Sequence, residues 1–135
     1  MNLERFVEAQ DDVYDDVLKE LRSGQKQSHW MWFIFPQIAG LGYSSMARRY
    51  AISSLDEAQA YLSHAVLGTR LRECVEILNG VEGKNIHQIM GSPDDIKLRS
   101  CLTLFSKATP DNKVFLDALD KYYSGELDPE TLKRL

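Results

Sequence analysis

Residues 3–22, LERFVEAQDDVYDDVLKELR, carry the pattern that decides the fold, with Phe6, Ala9, Val13, Val17 and Leu21 recurring every three or four positions. That spacing gathers them on one stripe of a helix and leaves Glu8, Asp11, Asp12, Asp15 and Asp16 on the opposite side. The pattern predicts one amphipathic helix over 3–22, with Asn2 as its N-cap and Ser23-Gly24 as its stop. Five carboxylates along one helix invite a metal site. A dinuclear carboxylate centre also needs Glu-x-x-His pairs on two helices, which this chain lacks, so the expectation is a solvated acidic face and no metal.

Outward from this segment the helix signals recur. Ser54-Leu55-Asp56-Glu57 has the form of a capping box, in which Ser54 accepts from the third helical N–H and Glu57 reaches back to the cap. A helix from 55 to about 63 follows, then another from Leu67 to Leu78 through Leu71, Cys74 and Val75. Ser92-Pro93, Thr109-Pro110 and Asp128-Pro129 each set a capping side chain before a proline, whose missing N–H costs nothing at the first helical position. Gly91 and Gly125 supply stops. Met31 to Phe35 is the one strand candidate, and it has nothing to pair with because no hairpin turn or internal repeat appears elsewhere. The expectation is an all-α fold: a single compact irregular domain over residues 1–135, built from about seven short helices.

A chain of 135 residues buries one ordinary core without staples. The excess of 20 acidic over 16 basic residues argues against a general nucleic-acid surface, because phosphate neutralisation needs clustered Lys and Arg. Cys74 and Cys101 lack zinc or redox spacing and read as reduced core thiols. The longest apolar run, Trp30 to Phe35, is far too short to span a bilayer, and the N-terminus lacks the pattern of a secretory signal. A cytoplasmic location with no membrane partner is expected. No cofactor motif is present, and oligomeric state is left open.

Chemistry concentrates in residues 26–42, KQSHWMWFIFPQIAGLG, which hold four of the thirteen aromatics. Each large apolar side chain contributes roughly 1.5–3 kcal/mol on burial, so the run must form core, line a pocket or meet a partner. As a ligand site, Trp30 or Trp32 stacks on a flat ring, Lys26 meets an anion, Gln37 reads a polar edge and His29 serves as acid or base. The plainer alternative is core packing with a solvated lysine. Gly40 and Gly42, ahead of a short helical stretch through Met46 and Arg49, allow backbone approach to an anion, or else form a simple turn. Asp94, Lys97, Ser100 and Thr103 share one helix face, with Asp94 a second acid or base candidate and Lys97 a second anion contact. Arg70 is expected to hold a carboxylate such as Glu57.

The strings Glu20-Leu21-Arg22-Ser23-Gly24, His29-Trp30-Met31-Trp32-Phe33-Ile34-Phe35-Pro36-Gln37 and Gly40-Leu41-Gly42 resemble the bacterial family known as domain of unknown function 1810. The resemblance continues through Tyr61-Leu62, Leu67-Gly68, Arg70-Leu71, Asp94 to Ser100 and Thr103-Leu104-Phe105. It implies one all-helical domain and no established activity. Members are often labelled calpastatin, yet a calpain inhibitor of the animal type is a disordered chain of repeats, and this chain is compact and unrepeated. A lysine, a Trp-rich segment and glycine turns in a small helical domain are also similar, more remotely, to helical proteins linked to ADP-ribose and riboside N-glycoside hydrolysis. Together these lead to binding, with hydrolysis as a further step, of a nucleotide-derived or ribosylated small molecule in a cleft lined by the Trp-rich segment. The alternative is a non-enzymatic protein-interaction module.

Overall fold

The computed structural model describes residues 2–135, and among them lie ten helices, six of eight residues or more, with no strand. The segment expected as one helix is two, α1 (Glu4–Asp11) and α2 (Tyr14–Ser23). Asn2 does not cap it; Leu3 holds the N-cap position without a side-chain bond. The break at Val13 has a packing cause: α1 lies against α3 (Met31–Ile34), whereas α2 lies against α6 (Leu67–Gly80), and one straight helix cannot follow both. The break also turns Gln10 inward, where its amide donates to the Phe33 carbonyl at 2.7 Å and the Tyr61 hydroxyl at 3.0 Å. Gly24 ends α2 in the left-handed conformation, φ 71°, as expected of a glycine stop.

The strand candidate is helix α3. A lone strand leaves its backbone groups unpaired, while the helical turn bonds Ile34 N–H to Trp30 O and Phe35 N–H to Met31 O, both at 3.1 Å. The chain then extends through Pro36 and makes an isolated parallel bridge between Ile38 and Ile52, flanking the short helix α4 (Ser45–Arg49). α5 (Leu55–Ser63) begins at Ser54, whose Oγ accepts from Glu57 N–H. Glu57 reaches back one residue further than the simple box, to Ser53 N–H at 2.8 Å, and pairs with Arg5 at 3.6 Å. Arg70 therefore goes elsewhere, to Asp11 at 2.9 Å and the Gln10 side chain at 3.3 Å.

α7 (Ile86–Met90) was absent from the sequence-based expectation although Asn85 and Gln88 form a reciprocal capping box. It stops at Gly91 and leads through a cis Ser92-Pro93 peptide into α8 (Asp94–Ala108). α8 is the central helix, packed by α5, α7, α9 (Lys113–Tyr123) and α10 (Pro129–Leu132). Of the three proline starts only Asp128-Pro129 is capped as expected, Asp128 accepting from Thr131 N–H. Pro93 is itself the N-cap of α8, and Thr109 is the C-cap of α8 rather than the start of α9, which begins after Asn112. The core is threaded by consecutive ring contacts, Phe33–Tyr50–Phe6–Tyr61–Phe105–Phe115, with centroids 5.2–6.1 Å apart. Both cysteines are buried and unpaired. No described helix is long and apolar enough to cross a membrane.

Candidate functional site

The aromatic segment and the start of α8 enclose three adjoining cavities. The first, about 330 Å³, lies between residues 26–32 and the Ser92–Asp94 turn. A narrow second cavity, about 20 Å³, runs between Trp32, Phe35, Ile38 and Tyr50. The third, about 230 Å³, is bounded by Leu41, Pro93, Ile96 and Asp128. Lys97 lines all three, because α8 carries it on the face that the 26–42 segment crosses. Among the described residues its ammonium has no hydrogen-bond or ion-pair partner, and Trp32 and Gln37, both half-buried and lining two cavities each, likewise leave the indole N–H and the side-chain amide unpartnered.

The remaining candidates fall into different surroundings. Lys26 and Asp94 face each other at 3.0 Å, and Lys26 also donates to Ser28 O at 2.6 Å and lies 4.8 Å from the Trp30 ring centre. Each thus neutralises the other at the wall of the first cavity. His29 is exposed on the rim of that cavity. Trp30 lines none of the cavities: it is 1% exposed in the core and its indole N–H donates to Glu20 at 3.1 Å. Gly40 and Gly42 both line the narrow cavity, and Gly42 also borders the third. Gly40 has φ 99°, and a Cβ on Gly42 would stand 2.6 Å from the Ala47 side chain, so the second glycine is a packing requirement. At the start of α4 the Ala47 N–H is taken up by the Ser44 hydroxyl at 3.1 Å.

Ser100 and Thr103, placed beside Lys97 by their spacing, hold the C-terminal segment. Ser100 donates to Asp128 at 2.8 Å, and Thr103 accepts from Asp128 N–H at 2.9 Å. Burial would raise the Asp128 carboxyl, but hydrogen bonds from Thr131 and Ser100 outweigh it and hold the group below the usual carboxylate range.

Glu20 is the organising residue that the sequence did not reveal, since it reads as one more acid on a solvated helix. Its carboxylate accepts from Gln27 N–H at 2.6 Å, Ser28 N–H at 2.9 Å and Trp30 Nε1 at 3.1 Å, and from the Ser28 hydroxyl. Partial burial would raise this carboxyl, yet the bonds from Ser28, Gln27 and Trp30 together lower it. A carboxyl depressed on folding binds fewer protons in the native state, so its contribution is complete above the unfolded value, roughly 4.3, and is lost as pH falls through the folded one. We expect Glu20→Gln to destabilise the protein at neutral pH and to flatten the fall in melting temperature below about pH 4.5. Melting curves across that range check it, and an unchanged acid slope would refute the assignment.

No protein with a curated description matches the chain significantly. The chain is similar to the crystal structure of the conserved hypothetical protein Rv1873 from Mycobacterium tuberculosis, at 55% identity over 98% of this chain and 95% of that one, with a TM-score of 0.98. The helical arrangement is thus shared nearly end to end, and that relative's description assigns no activity. The model of the family described as Protein of unknown function (DUF1810) matches residues 1–135, and the chain belongs to that family.

Proposed function

We propose that the protein binds a nucleotide-derived or ribosylated small molecule in the cleft around Lys97. The observation that carries this is the unpartnered Lys97 ammonium at the junction of three cavities, with the Trp32 indole and the Gln37 amide beside it. A half-buried cation with no carboxylate of its own favours an anion, and an indole wall favours a flat ring. The two larger cavities are each near the lower bound of ordinary ligand pockets and adjoin through Lys97 and Pro93. Asp94 and His29 line the same first cavity and are the groups to which a hydrolytic step would fall. Binding has the stronger support, because the Asp94 carboxylate is engaged by Lys26.

A thermal-shift screen against nucleotides, ADP-ribose and ribosylated metabolites tests the proposal, since ligand at 100 times its Kd adds about 2.7 kcal/mol. Lys97→Ala should leave the melting temperature of the unliganded protein nearly unchanged and abolish the shift given by an anionic hit. Gln37→Ala should weaken it. The absence of any shift across the screen would sink the proposal and leave the second reading, a docking module, favoured by Ile96, 65% exposed at the third cavity, and by Tyr43, 76% exposed next to Gly42 in the chain.

A further inference from the structure

We infer that the group this cleft accepts carries a single negative charge, so that the ligand, on the binding reading above, is a nucleoside-like or ribosylated molecule with one internal phosphodiester or carboxylate. Terminal phosphates and polyphosphates are disfavoured. The inference follows from a charge inventory of the lining. Two lysines face the cavities, and Lys26 is committed to Asp94 at 3.0 Å and to the Ser28 carbonyl. Among the described residues that line them, only Lys97 brings an uncompensated positive charge.

Negative charge is present at both ends. Asp94 stands at the first cavity, and Asp128 and Glu130 at the third. Glu130 is matched by Lys133 at 2.9 Å and Arg134 at 3.5 Å. The hydrogen-bond partners of the Asp128 carboxylate are Ser100 and Thr131, neutral donors that leave its charge in place. The start of α8 adds little capacity, because Asp95 N–H is bonded to Gly91 O and Ile96 and Lys97 N–H to Pro93 O. A terminal phosphate carries about −1.5 to −2 at pH 7, and a di- or triphosphate more. One lysine neutralises a phosphodiester or carboxylate, and the excess charge of the larger groups would meet Asp128 with no cation to offset it. Leu41, Pro93 and Ile96 provide the third cavity with apolar walls suited to the uncharged part of such a ligand.

Isothermal titration of the protein with two probe series decides it: adenosine, cyclic adenosine monophosphate, adenosine monophosphate and adenosine diphosphate, and the same four built on uridine. In at least one series the cyclic monophosphate should bind roughly 10-fold or more tighter than the nucleoside, as one charge-assisted contact provides, and tighter than the mono- and diphosphate. Lys97→Met should erase the advantage of the cyclic form while leaving the nucleoside affinity within about twofold, with Lys97→Gln as a second variant should the first fold poorly. A diphosphate that binds tighter than the cyclic form, or an advantage that survives both variants, overturns the charge assignment and leaves the binding reading standing. If no member of either series binds, this inference fails, while the binding reading falls only if the wider thermal-shift screen is empty as well.

Discussion

Trp30→Ala is expected to cost about 3–5 kcal/mol, and Trp32→Ala only about 1–2 kcal/mol, although the two tryptophans are two residues apart in one aromatic run. Trp30 is fully enclosed, packs against Phe35 at 6.0 Å between ring centres, lies under Lys26 and is held through its indole N–H by Glu20. Truncation leaves a cavity in the core and removes one of the hydrogen bonds that hold the Glu20 carboxylate. Trp32 is half-buried, faces two cavities and has no hydrogen-bond partner, so its removal mostly enlarges the cleft. Urea titrations of the two variants, with ligand-induced shifts measured on Trp32→Ala, check both halves. Equal losses would mean that Trp32 is core and that the cleft lacks its aromatic wall.

The second large effect lies far from the cleft. Gly68→Ala should lose at least about 3 kcal/mol, the upper end of ordinary overpacking, because a Cβ at Gly68 would sit 2.0 Å from the Leu62 carbonyl oxygen and 2.8 Å from its carbon. Both are backbone atoms, so no rotamer relieves the clash and the junction of α5 and α6 must open. Gly80 at the other end of α6 is the natural control. Nothing lies within 4 Å of a Cβ there, and Gly80→Ala should be neutral or stabilise by about 0.4–1 kcal/mol through the unfolded chain. Denaturation midpoints decide it, and a wild-type midpoint for Gly68→Ala would show that the α5–α6 contact is looser than the structure has it.

Legibility in the sequence tracked how local the physics is. The Ser54 cap, the Asp128-Pro129 start, the Gly24 and Gly91 stops and the helical spacing after Leu67 involve atoms within a few residues of one another, and each was readable. The double helix over 3–22 was not, because its break serves two distant partners, α3 and α6. Thr109-Pro110 has a correct start signal but sits where α8 ends, and its hydroxyl bonds Asp111 N–H in a turn. A cap motif states what a residue is able to do; the neighbouring helix decides whether it does it.

The same division holds at the candidate site. Composition and spacing alone determined an all-helical chain and directed attention to the Trp-rich segment and to Lys97, because apolar periodicity and local capping are properties of adjacent residues. Which tryptophan is core, which lysine is neutralised and which acid organises the loop were decided only in three dimensions. Lys26 and Asp94 are 68 positions apart and lose their separate charges to each other at 3.0 Å, while Lys97, one turn beyond Asp94, is left without a partner. Glu20 gathers the backbone of Gln27 and Ser28 only because the Gly24 turn folds the chain back over α2. Such pairings depend on through-space distance, to which a one-dimensional pattern is blind, and they separate the charge that is matched within the fold from the one that is not.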